Sequence, residues 1–151
     1  MPRISAGLLL YRIKDGIIQV LLAHPGGPYF QSKDEGAWTI PKGEPEPNEE
    51  LLVTAQREFE EETGIKPTGP YIPLTSIKQK GGKIVHAWAF KGDCDLTIKC
   101  NTCTIEWPPH SGRQMEIPEI DRVEFFDLGT AKKKIKAGQE GLVDEVERIL
   151  G

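Results

Sequence analysis

No apolar run in this sequence approaches the ~20 residues that a bilayer-spanning helix needs, so no membrane partner is expected. A basic excess is also lacking. Lys and Arg number 19 against 23 Asp and Glu, for a net charge of -4. A dedicated nucleic-acid binder carries a clear positive balance, so no stable nucleic-acid partner is expected. The Lys132-Lys133-Lys134 run reads as a solvated helix face. The opening residues enter a strand-like run, Gly7 to Tyr11, with no small-residue cleavage site after a longer apolar core, so a cytoplasmic protein is expected. There are three cysteines, Cys94, Cys100 and Cys103, an odd number that argues against a disulfide framework. Cys100 and Cys103 have zinc-ligand spacing, with His86 and His110 in sequence reach. A structural zinc site needs a second close pair, and none is present. Internal repeats and low-complexity segments are absent as well.

What remains is a chain of 151 residues that fits one globular domain, residues 1–151. Leu8–Tyr11 and Ile17–Leu22 are β-rich runs joined by Lys14-Asp15-Gly16, a strong hairpin signal. The Gly/Pro-rich stretch from His24 to Gly36 predicts a surface loop. Trp38-Thr39-Ile40 predicts a short strand that stops at Pro41. Asn48 to Thr63 predicts a helix, with Asn48 as N-cap and Gly64 at the C-terminal stop. A second hairpin turns at Gly81-Gly82 and returns along Ile84 to Phe90. Asp93 to Pro118 predicts mostly loop. Val123–Phe126 reads as a last strand, followed by helices over Leu128–Lys136 and Glu140–Leu150. This order implies an α+β fold with a mixed sheet.

The chemistry concentrates on the helix. At 3.6 residues per turn, Leu51, Ala55 and Phe59 form a core-facing stripe. Glu62 falls within that stripe, Glu58 on its edge, and Glu61 beside Glu58. Clustered acids repel one another, and burying an unpaired carboxylate costs far more. A hard cation held by oxygen ligands offsets both penalties. Upstream, Pro41-Lys42-Gly43-Glu44 forms a tight loop in which Gly43 leaves a carbonyl open to a ligand and Lys42 can contact phosphate.

From Gly43 the sequence runs through five residues to Glu49, seven more, then Arg57-Glu58-Phe59-Glu60-Glu61-Glu62-Thr63-Gly64-Ile65. This resembles the Nudix box at every defined position. The resemblance implies an α/β/α sandwich around a mixed β-sheet, and Mg²⁺- or Mn²⁺-dependent hydrolysis of a nucleoside diphosphate linked to another group. It implies that Glu58, Glu61 and Glu62 bind metal with the Gly43 carbonyl, that Arg57 orients the acids, and that Glu49 supports Arg57 and the helix start. Glu58 is the first candidate for the base. Glu119, before the last strand, is the candidate outside the box, with Glu116 behind it.

On the substrate side, Trp38-Thr39-Ile40-Pro41-Lys42-Gly43 resembles the Trp-x-x-Pro-Lys-Gly run of dinucleoside-polyphosphate and diphosphoinositol-polyphosphate hydrolases. Trp38 either packs in the core or meets the substrate. Tyr29, with Phe30 and Gln31, could stack on a base, as could Trp107. His86 reads as a packed sheet residue. Expected partners are a small-molecule nucleotide substrate and, from the frequency of dimers in the family, a second copy of the chain. A dinucleoside polyphosphate or (d)NTP is the expected substrate. A nucleotide sugar or other NDP-X compound, or a non-catalytic nucleotide-binding role, is the alternative.

Overall fold

The computed structural model describes residues 3–97 and 102–151. Strand β1 (Ile4–Lys14) is alternately apolar on both faces and forms the middle of a mixed sheet. It pairs antiparallel with β2 (Ile17–Pro25) through the predicted hairpin. Asp15 and Gly16 take φ of 52° and 79°, the left-handed pair that a two-residue turn requires. On its other side β1 pairs parallel with β6 (Ile84–Lys91), from Ile4↔Ile84 to Tyr11↔Lys91. The main order is β4 (Ile72–Pro73), β6, β1, β2, β9 (Ile120–Asp127). Two short strands complete the sheet: β3 (Lys42–Gly43) against β1, and β5 (Ile77–Lys78) against β6.

The strand period of two sends successive β1 residues to opposite layers. Leu8 and Leu10 pack with Ala55 and Phe59 of helix α1 (Leu51–Thr63) and with Phe90 and Val123. Leu9 and Tyr11 face the other layer. There, α2 (Leu128–Lys134) and α3 (Glu140–Leu150) bury Ala131, Leu142, Val143 and Val146, joined by a short 3-10 turn at Ala137–Gln139. Helix, mixed sheet and helices therefore form the expected α/β/α sandwich.

Four local expectations need correction. The helix opens at Leu51, not Asn48. Asn48 has φ of 64° and does not cap it, and no acid lies in the first turn. Pro47 and Asn48 instead form a turn, closed by the Glu49 N–H donating to the Glu46 carbonyl at 3.0 Å. His24 and Pro25 finish β2 instead of beginning the loop. Trp38-Thr39-Ile40 is not a strand, because only two isolated bridges form there, Ala23↔Thr39 and Trp38↔Ile135. Finally, the stretch expected to be mostly loop contains a separate two-stranded hairpin. Its strands are β7 (Thr102–Glu106) and β8 (Gln114–Pro118), paired from Thr102↔Pro118 to Glu106↔Gln114. The Glu106 carboxylate closes its turn by accepting from the backbone N–H groups of His110 (2.8 Å) and Gly112 (3.2 Å).

Candidate active site

The site forms where β3 crosses the start of β1 and faces α1. Close backbone approach is possible because position 7 is glycine. A Cβ there would lie 2.5 Å from the Pro41 carbonyl oxygen and 2.7 Å from the Lys42 Cβ. The Leu8 N–H donates to that same carbonyl. Gly43 then brings bare backbone against the helix: a Cβ at 43 would lie 2.1 Å from the Glu58 carboxyl carbon. Only glycine leaves room for the Glu58 carboxylate in that place.

Three box acids gather on Arg57. Its Nε and Nη2 donate to the two oxygens of Glu49, both at 2.9 Å. Nη1 donates to Glu58 at 2.9 Å and to Glu61 at 3.3 Å. This fork geometry suits guanidinium and carboxylate. Hydrogen bonding by Arg57 holds the Glu49 carboxyl down at about 2, helped by the Glu46 N–H and the Thr54 hydroxyl. Glu49 thereby ties the pre-helix segment to Thr54 and Arg57, which is how the helix start is fixed without a conventional cap.

Glu58 and Glu62 are pushed the other way. Burial raises Glu58 and outweighs the Arg57 contact. Glu62, 7% exposed, is raised to about 8, first by burial and then by the charges of Glu58 and Glu119. Its Oε2 is buried and has no hydrogen-bond partner among the described residues. An orphaned carboxylate oxygen is costly. A divalent cation would remove that cost, so Glu58, Glu61, Glu62 and the Gly43 carbonyl are residues that fit one. Among the described residues no three acid, histidine or cysteine side chains already converge on one point. Glu58 and Glu61 are drawn to Arg57 instead.

Outside the box, Glu119 is an exposed residue immediately before β9 whose charge is felt at both Glu58 and Glu62. Glu116 is exposed on β8, paired with Thr104. Lys42 is half-buried and pulled down to about 8, first by burial, then by Lys83 and Lys136.

Trp38 does not reach the surface and is corrected from a substrate contact to a core residue. It is 1% exposed, edge-on to His24 and Phe126 with centroids 5.0 Å away, and covered by the Arg122 guanidinium. Its indole N–H donates to Asp34 at 2.9 Å, satisfying the polar end of a buried ring. Tyr29 is exposed on the loop after β2, edge-on to Phe30 with the Lys33 ammonium over its face. Trp107 is half-buried at the β7–β8 turn, and His86 sits in β6 opposite Ala6. Cys94 and Cys103 are half-buried, and Cys100 lies outside the described residues.

Two supports gave no sequence signal. Gln139, fully buried in the 3-10 turn, accepts from the Ile40 N–H at 3.0 Å and donates to the Thr39 hydroxyl at 2.9 Å. It thereby holds the segment that leads into Lys42 and Gly43. His24, also fully buried, bridges Asp121 (Nδ1, 2.9 Å) and the Lys33 carbonyl (Nε2, 2.7 Å), pinning the loop after β2 to β9.

The structure is similar to an Ap4A hydrolase of C. elegans solved as a binary complex. Identity is 23%, TM-score 0.69, over 98% of this chain and 97% of that one. It is also similar to the NUDIX domain of Shewanella oneidensis NrtR complexed with ADP ribose, at 16% identity and TM-score 0.69, over 100% and 90%. A mutT/nudix family protein of Listeria innocua matches at 18% identity and TM-score 0.65, over 99% and 95%. The family model described as NUDIX domain matches residues 1–146. With that match over nearly its whole length, the chain belongs to the Nudix family of pyrophosphohydrolases.

Proposed function

We propose that this protein hydrolyses a pyrophosphate bond in a nucleoside-diphosphate-linked substrate, a dinucleoside polyphosphate or (d)NTP, with Mg²⁺ or Mn²⁺ as cofactor. The observation that carries this reading is the buried, unpartnered Glu62 carboxylate oxygen beside Glu58, at the glycine cradle of residue 43. Held by Glu58, Glu61, Glu62 and the Gly43 carbonyl, the cation would neutralise diphosphate charge and ease ionisation of water.

The chain's own residues supply the remainder. Lys42 binds a phosphate oxygen at the mouth of the site. Arg57 fixes the carboxylates in register through its three-acid contact. Glu58 accepts the proton of the attacking water, and Glu119 is the rival for that task because its charge already reaches Glu58 and Glu62. Tyr29 offers a face to a base.

A nucleotide sugar or related NDP-X substrate is the second reading. It is favoured by the ADP ribose named for the NrtR domain.

The test is product release from a panel of nucleotides, dinucleoside polyphosphates and nucleotide sugars, with and without Mg²⁺, beside a Glu61→Gln/Glu62→Gln variant. Metal-dependent cleavage of one class, lost in the variant, is the expected result. Tight metal-independent binding with no turnover would move the protein to a regulatory role. Glu119→Gln and Glu116→Gln then assign the outside acid: loss of turnover in the first alone supports Glu119.

A further inference from the structure

Beyond Lys42 the molecule has a cleft that the chemistry above does not use. It encloses about 640 Å³ and is lined by Arg3, Lys78, Lys80, Gly81, Gly82 and Lys83. It lies at the β5–β6 turn, and Lys83 at its edge faces Lys42. Among the described residues, Lys78, Lys80 and Lys83 enter no ion pair, and Arg3 meets Glu44 through Nε at 2.8 Å. Cations thus run from Lys42 outward, opposed by Glu44, which Arg3 pairs, and by Glu62 beside Lys42.

The turn is built to keep this cleft open. Gly81 and Gly82 have φ of 93° and 89°, and a Cβ at either would meet nothing within 4 Å. Positive φ selects glycine, and glycine leaves the space above the turn free of side chains. The turn is also held in place. The Gln79 N–H donates to the Lys83 carbonyl at 2.7 Å, and the Gln79 side chain accepts from Gln139, the residue that positions the approach to Lys42. These cations line one concavity, and its Arg3 is paired with Glu44, the residue after Gly43.

Resting on the hydrolase reading above, we propose that the Arg3–Lys78–Lys80–Lys83 cleft is a second anion site, which holds the distal phosphates of a linear polyphosphate chain whose scissile end lies at Lys42. Each lysine contributes a point charge, and Arg3 a fixed fork, to oxygens that carry charge at every phosphate. A substrate with a two-phosphate link ends before the cleft, and a chain of four or more phosphates enters it.

The test separates this site from catalysis. Binding of inorganic tripolyphosphate to the full chain is measured by calorimetry in EDTA, for the native protein, Lys78→Gln/Lys80→Gln and Lys80→Glu. Binding that weakens at least tenfold in the double variant, and further on charge reversal, is expected. Both lysines are exposed, so melting temperature should hold and report an intact fold. A second arm compares kcat/KM for a dinucleoside tetraphosphate and for a two-phosphate dinucleotide; the ratio should fall at least tenfold in the double variant. Nucleoside tetraphosphate binding tighter than tripolyphosphate assigns the chain to a nucleotide, and equal binding assigns it to inorganic polyphosphate; either supports the site. Tripolyphosphate binding with no turnover of any substrate would leave the cleft standing and remove the hydrolase reading. Absence of binding, or binding indifferent to Lys78 and Lys80, overturns the proposal.

Discussion

The carboxyl carbon of Glu58 stands 2.1 Å from where the first side-chain carbon of any other residue would sit at position 43. Gly43→Ala therefore displaces the Glu58 carboxylate and leaves the β3 backbone without φ strain, since Gly43 is not among the residues with positive φ. Turnover should fall by at least tenfold while the melting temperature changes by only a few degrees. Full activity in this variant would show that Glu58 works from another position.

The pH dependence of stability follows from Glu62. Its folded pKa of about 8 lies above the ordinary 4.5, so the folded state holds the proton more tightly than the unfolded chain. Its contribution is fully present below about 4.5 and is lost as pH rises to 8. In EDTA, the native protein should lose a few kcal/mol between these limits, at about 1.4 kcal/mol per pKa unit. Thermal melts from pH 5 to 9 should slope downward for the native protein and be flatter for Glu62→Gln. Mg²⁺ should restore stability at the alkaline end in the native protein alone. Parallel slopes for the two proteins would refute the assignment.

Arg57→Lys keeps the charge and loses the fork. One ammonium cannot reproduce the paired 2.9 Å contacts to Glu49 together with those to Glu58 and Glu61. The expectation is a kcat at least tenfold lower with KM changed far less, because the proposed phosphate contact at Lys42 is left in place. A variant that raises KM alone would place Arg57 on the substrate.

Removing the Gln139 side chain tests the distant support. Gln139→Ala leaves the buried Ile40 N–H without its acceptor, which costs about 1–3 kcal/mol. A melting temperature lower by several degrees is expected, together with reduced turnover, since Lys42 and Gly43 follow directly. Lower stability with unchanged turnover would show that the segment holds its course unaided.

Local chemistry explains what the chain reveals before folding. Asp15-Gly16 announces a left-handed turn, and the Leu51, Ala55, Phe59 stripe places Glu62 inward whatever the remainder does. The acids and Gly43 were legible because they lie within one helix and the loop feeding it. The helix start was misplaced because Asn48 is a good capping residue by type, whereas the role passes to Glu49 through Arg57 and Thr54. The β7–β8 hairpin has a signal in the alternation Thr102-Cys103-Thr104-Ile105-Glu106, obscured by Pro108-Pro109 in its turn. Trp38 carries a substrate-like motif, and only its burial under Arg122 shows otherwise. Gln139 and Thr39 are 100 positions apart, and His24 and Asp121 are 97 apart. No periodicity or spacing rule spans such distances.

The Gln139 clamp also orders events in time. Residues 43 to 65 hold the whole Nudix box, yet the Ile40 N–H just ahead of it is held by a side chain made 99 residues later. During synthesis the acidic helix can form early, because its contacts are local. The approach to Lys42 and Gly43 has to wait for the last part of the chain. A nascent chain short of residue 139 therefore carries the full acid motif without the clamp that aims it.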